Sequence, residues 1–330
     1  MKQLRLSFGC WDYDRTRALA DGRVNPDGID LVYLSMPVEE TFFRMLRYRE
    51  FDVSEMSMSS YLVSLQSEER PFIAIPVFPS RFFRHSCIYV HVGSGINEPK
   101  DLIGKRVGLP EYQMTAPAWI RGILSDDYDV PVDSVTYMAG GEEEPGRSEK
   151  LKINLPPNIK VERIGPHQTL SHMLASGEID ALYTARKPST YTNGNGPVRR
   201  LFEDYVNVER DYYRRTGIFP IMHVVAIRRE VYEANRWIAM SLMKAFFEAQ
   251  KLTYESLRET AALKAMLPWL NAHVEEAEKE MGPDYWPYGV EKNRTTIDTF
   301  LRYHHEQGLS RRKLEIGEMF APETLESYKI

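Results

Sequence analysis

Two stretches of this 330-residue chain follow nearly the same pattern. They are Thr41-Phe-Phe-Arg-Met-Leu-Arg-Tyr-Arg-Glu-Phe-Asp-Val53 and Thr169-Leu-Ser-His-Met-Leu-Ala-Ser-Gly-Glu-Ile-Asp-Ala181. Each reads Thr, apolar, two variable residues, Met-Leu, three variable residues, then Glu, apolar, Asp and a small apolar residue. Apolar residues at the first spacing predict an amphipathic helix, and the Glu-apolar-Asp end predicts the start of a strand. A strand candidate led by proline precedes each copy, Ile29–Leu34 and Ile159–Ile164. Strand, helix and strand used twice imply mostly parallel sheets in two α/β lobes of similar build, with a cleft between them.

The length suits one large domain or two such lobes, and either can bury a core. A net charge of -5, with Lys/Arg pairs scattered along the chain, gives no basic face for nucleic acid or anionic lipid. No run approaches the ~18–20 apolar residues of a membrane helix. Met1-Lys-Gln-Leu-Arg-Leu-Ser-Phe-Gly9 alternates like a strand and lacks the features of a secretion signal, so a cytoplasmic protein is expected. Cys10 and Cys87 stand in unrelated contexts and suggest neither a disulfide framework nor a zinc site. Gly-x-Gly-x-x-Gly, Walker, His-Glu-x-x-His and Gly-x-Ser-x-Gly patterns are absent.

Further along, strands are expected at Leu4–Phe8, Phe51–Ser54, Phe72–Pro76, Cys87–Val92, Arg106–Leu109, Ala181–Thr184 and Ile221–Arg228. Helices are expected at Val38–Tyr48, Thr115–Leu124 and Gln168–Ser176, with a mainly helical C-terminus after Glu230. Val224–Ile227 and Ile88–Val92 are expected to pair as antiparallel crossings between lobes. The domain reading is 1–92 with 221–330 as one lobe and 93–220 as the other.

The segment Asp101-Leu-x-Gly-Lys-x-Val-Gly108, leading into a helix, resembles the start of the second lobe in type 2 periplasmic-binding-protein folds. More narrowly, Phe51-Asp-Val-Ser-Glu-Met-Ser57, Arg81-Phe-Phe-Arg-His85, Gly108-Leu-Pro-Glu-Tyr-Gln-Met-Thr115 and Trp286-Pro-Tyr-Gly-x-x-x-Asn293 with Phe300 resemble the 4,5-dihydroxyphthalate decarboxylase family. The resemblance implies a two-lobed type 2 periplasmic-binding-protein-like α/β fold, with mixed sheets flanked by helices. It also implies cofactor-independent decarboxylation of a hydroxylated aromatic dicarboxylate. The implied partner is a small aromatic carboxylate, with a homo-oligomer left open.

Residue types suggest where such chemistry could sit. Ser57, Ser59 and Thr115 lie at helix N-termini after strands, where free N–H groups favour carboxylates. In Arg81-Phe-Phe-Arg-His85, alternation would put Arg81 and His85 on one face. There a guanidinium could bind carboxylate while an imidazole moves a proton. His85 is therefore the first choice for proton transfer, with Glu111 and His223 behind it. Arg84, Trp11, Tyr112 and Arg186 are further candidates for substrate binding, and no metal ligand set is expected. The competing expectation is a non-catalytic solute-binding protein for a small carboxylate, which the same residues would suit.

Overall fold

The computed structural model describes residues 3–325, so Met1 and Lys2 of the first expected strand lie outside the described residues. Eleven strands occur among them: β1 (Leu4–Cys10), β2 (Ile29–Ser35), β3 (Val53–Ser57), β4 (Phe72–Ile75), β5 (Ile88–His91), β6 (Arg106–Leu109), β7 (Thr136–Ala139), β8 (Lys160–Arg163), β9 (Ala181–Tyr183), β10 (Val198–Arg200) and β11 (His223–Arg228). No helix among the described residues is long and apolar enough to cross a membrane.

The chain divides into two compact units. Among the described residues, one comprises 3–81, His223–Ile297 and 315–325; the other comprises Phe82–Met222 and Asp298–Leu314. The sequence placed 1–92 and all of 221–330 in the first lobe, but residues 82–92 belong to the second unit, where β5 joins its sheet. Residues 298–314 instead pack in the second unit: Phe300 stacks on Trp119 at 5.0 Å, and Gln307 accepts a 2.8 Å hydrogen bond from the buried Arg121.

In the first unit the sheet order is β2-β1-β3-β11-β4. β1 runs parallel to β2 and β3, and β11 lies antiparallel between β3 and β4. In the second unit the order is β10-β5-β9-β6-β7-β8, with parallel pairing from β9 through β8 and β5 antiparallel between β9 and β10. The expected pairing of Val224–Ile227 with Ile88–Val92 is therefore corrected. β11 and β5 each have both edges filled within their own sheet, and neither has backbone groups left for the other.

The repeat has a clear physical basis. Met45 and Met173 are buried on the inner faces of helices Val38–Tyr48 and Leu170–Ser176. Both helices end in a left-handed residue, Arg49 at φ 50° and Gly177 at φ 78°, which turns the chain toward the next strand. The shared aspartates then tie that strand to its parallel neighbour. Asp52 Oδ2 accepts from Ser7 N at 2.9 Å on β1, and Asp180 Oδ2 accepts from Arg106 N at 2.8 Å on β6. The threonines differ. Thr169 caps its helix by accepting from His172 N, whereas Thr41 sits one turn inside its helix with its hydroxyl on Pro37 O. At Gly108 on β6, an added Cβ would come within 2.6 Å of Ile179 and 3.0 Å of Leu170, so the bare backbone lets the second helix pack closely.

Candidate active site

β3 is buried along its whole length, yet Glu55 sits in its middle. A carboxylate in such a place is costly unless its oxygens are satisfied, and here they are. Oε1 accepts from the Tyr13 hydroxyl at 2.6 Å and faces His223 Nδ1 at 2.6 Å. Oε2 accepts from Trp11 N at 3.0 Å, with Cys10 Sγ at 3.6 Å. These partners come together through the sheet. β11 runs antiparallel to β3 with His223 opposite Ser57 and Val225 opposite Glu55, so His223, Ser57 and Glu55 share one face. β1 ends beside them and delivers Cys10, Trp11 and Tyr13.

Burial alone would raise the Glu55 carboxyl. The charge and hydrogen bond of His223, with the Tyr13 hydroxyl and the Trp11 N–H, outweigh it and hold the group below its ordinary value. The Tyr13 hydroxyl is driven strongly upward by burial and by the Glu55 charge, and so remains a donor. Nδ1 of His223 is turned to the carboxylate and the Phe42 ring packs edge-on at 4.8 Å, which leaves Nε2 as the ring nitrogen on the side away from Glu55. Its side chain keeps 16% exposure against 0% for Glu55. A carboxylate opposite Nδ1 selects the state with a proton there and complements the charge of the doubly protonated ring.

The structure places several other candidates apart from this pair. His85 lies in a 3-10 turn rather than an extended strand, so the alternation expected for Arg81 and His85 does not exist. Its ring is buried among Tyr212, Phe202 and Tyr128, and neither nitrogen has a hydrogen-bond partner among the described residues. Burial, aided by the Arg215 charge, lowers its pKa to about 4, and this enclosure fits a packed neutral imidazole rather than a proton shuttle. Because the folded protein disfavours the charged ring, stability should fall as pH drops from 6.5 toward 4, by an amount on the order of 3 kcal/mol. In urea titrations across that range, His85→Leu should lose this part of the acid slope while keeping turnover within a few-fold.

Arg81 Nη2 donates to Pro287 O at 2.7 Å and to Asn293 Oδ1, so it fastens the Trp286–Asn293 motif within the first unit. Arg84 is buried over the Phe82 ring at 4.8 Å, with the sulfurs of Met222 and Cys87 as acceptors. Glu111 is committed to Arg147 and Lys150, and the Tyr112 hydroxyl donates to Gln307 O inside the second unit. Ser57 caps helix Met58–Ser64, while Ser59 is fully buried in that helix's first turn. Thr115 is buried at the first position of helix Thr115–Tyr128, whose N-cap is Met114. Trp11 is exposed, and Arg186 is an exposed residue whose N–H donates to Thr184 Oγ1. Near Arg186, burial pushes Glu142 up to about 7.

Glu55 did not stand out from sequence. The available signal was a glutamate inside Phe51-Asp-Val-Ser-Glu-Met-Ser57, at a strand position where neighbouring residues mark a buried centre.

The two sheets flanked by helices have a periplasmic-binding-protein-like fold, and the first unit carries a buried carboxylate paired with a partly exposed imidazole. Among solved structures, it is similar to the periplasmic aliphatic sulphonate binding protein of Escherichia coli, with TM-score 0.53 and 14% identity over 98% of this chain and 99% of that one. It is likewise similar to the alkanesulfonate-binding protein of Xanthomonas axonopodis pv. citri bound to MOPS, with TM-score 0.51 and 11% identity over 98% of each chain. No family model matches. The chain is 41% identical to a 4,5-dihydroxyphthalate decarboxylase of Comamonas testosteroni over the whole of both chains. It is also 44% identical to one of Pseudomonas putida over 214 residues, 65% of this chain and 83% of that one. The chain belongs to the 4,5-dihydroxyphthalate decarboxylase family.

Proposed function

We propose that this protein is a carboxy-lyase that converts 4,5-dihydroxyphthalate to 3,4-dihydroxybenzoate and CO2, with His223 as the proton donor. One observation carries the assignment within a chain of this family: the partly exposed His223 ring is held through Nδ1 by the fully buried Glu55. The reaction replaces a carboxylate on the ring by hydrogen. His223, protonated on both nitrogens, passes its Nε2 proton to the ring carbon that bears the departing carboxylate. The hydroxyl para to that carbon stabilises the positive charge left on the ring. The carbon–carboxylate bond then breaks, its electron pair restores the aromatic ring, and CO2 leaves. The imidazole regains a proton from solvent. Glu55 supports the charged ring before transfer and keeps Nε2 aimed outward, while Tyr13 shares the carboxylate and fixes its orientation.

The fold is shared with solute-binding proteins, so turnover is the deciding observable. Purified protein incubated with 4,5-dihydroxyphthalate should release one CO2 per 3,4-dihydroxybenzoate formed. Tight binding with no product would contradict the proposal and favour a receptor for the same anion.

A further inference from the structure

Arg81, the cation expected from sequence to hold substrate, is committed to Pro287 O and Asn293. Another guanidinium of the same unit is placed differently. Arg15 follows Tyr13 by two residues, and its side chain is only 16% exposed. Nε donates to Pro79 O at 2.5 Å and Nη1 to Asp14 Oδ1 at 3.0 Å, whereas Nη2 makes no hydrogen bond to a described residue. Its central carbon lies 4.1 Å from the centroid of the Tyr13 ring and 4.2 Å from that of Trp286.

Both rings are themselves fixed. The Tyr13 hydroxyl is bonded to Glu55, and Trp286 donates through Nε1 to Phe78 O at 2.9 Å and through its backbone N–H to the Tyr254 hydroxyl at 2.9 Å. Gln250 Nε2 donates to the Trp286 carbonyl at 2.7 Å. The guanidinium is thus held by its Nε and by two aromatic neighbours, with one N–H edge left to donate. Asp14 offsets part of its charge, but that carboxylate is 48% exposed and engages only Nη1 among the guanidinium nitrogens.

We propose that Arg15 is the subsite for the carboxylate that stays on the ring, an assignment that rests on the decarboxylase reading. The Tyr13 side chain links the two functions: its ring packs on Arg15, and its hydroxyl lies 3.4 Å from His223 Nδ1. The substrate's two carboxylates sit on adjacent ring carbons. Anchoring one at Arg15 therefore fixes the position of the carbon that bears the other, the carbon His223 must protonate. A substrate that lacks the second carboxylate loses this anchor, so Arg15 would also contribute to specificity. A planar fork with one open edge suits a carboxylate better than a mobile ammonium would.

The test uses Arg15→Gln and Arg15→Lys, with phthalate and catechol as non-reacting probes in calorimetric titrations and 4,5-dihydroxyphthalate as substrate. Losing a charge-assisted hydrogen bond should weaken phthalate binding by roughly 10–100-fold in Arg15→Gln. Catechol, which has no carboxylate, should bind both variants as it binds the unaltered protein. KM should rise in parallel while kcat changes less, and Arg15→Lys should recover part of the affinity. Equal weakening of phthalate and catechol would indicate a structural role and overturn the subsite, as would unchanged phthalate affinity or failure of the unaltered protein to bind phthalate. If phthalate binding depends on Arg15 but the unaltered protein never releases CO2, the subsite stands and the decarboxylase reading falls.

Discussion

His223→Ala should lower kcat by about 10²–10⁴-fold, the usual worth of a positioned acid–base group. The ring is the proton donor in the proposed step, and water admitted in its place would be neither held nor charged. Substrate affinity should change only a few-fold, because the anionic groups of the substrate are held elsewhere. Steady-state kinetics together with a calorimetric Kd separates the two effects. A variant that keeps close to full kcat would show that another group delivers the proton.

Glu55→Gln should cost nearly as much. The amide has almost the same shape, but it brings an N–H2 where only acceptors are tolerated: Tyr13 O–H, Trp11 N–H and His223 Nδ1 all point at the carboxylate. Presenting its oxygen to His223 leaves other donors facing an amide nitrogen, and the reverse arrangement favours the wrong imidazole tautomer. In comparable carboxylate–imidazole systems such a change costs on the order of 10⁴ in kcat, and about 10²–10⁴ is expected here. The substitution should also alter stability in a pH-dependent way. The folded protein holds the Glu55 carboxyl below its ordinary value, so the pair stabilises the fold above the normal carboxylate range and loses that effect as pH falls through the lowered value. Urea midpoints measured from neutral to acid pH should show this slope in the unaltered protein and not in Glu55→Gln. An unchanged kcat would remove Glu55 from the mechanism.

The sequence displayed its periodic features well. Helix Val38–Tyr48 lies where its apolar spacing put it, and the Glu-apolar-Asp repeat precedes a strand in both units, with the aspartates in matching structural positions. Strand pairing was harder to read. A β-branched run such as Val224–Ile227 shows that a segment is buried, not which neighbours fill its edges. The site was harder again, for a related reason. Arg81-Phe-Phe-Arg-His85 concentrates reactive residue types, but His85 there is enclosed by rings that come from Tyr128, Phe202 and Tyr212, far away in the chain. Glu55 and His223 stand 168 positions apart and meet only because β11 inserts beside β3. Local composition cannot signal such a meeting. The clue was indirect: a charged residue on a strand buried along its whole length needs a partner.

The most direct measurement is turnover of 4,5-dihydroxyphthalate in D2O by the unaltered protein and by His223→Ala, with the product read by proton NMR. The account predicts 3,4-dihydroxybenzoate carrying one deuterium at C6, the carbon that lost its carboxylate, formed rapidly by the unaltered protein and slowly by the variant at matched substrate occupancy. Substrate that binds without reacting, deuterium at another ring position, or labelled product formed equally fast by the variant would contradict it.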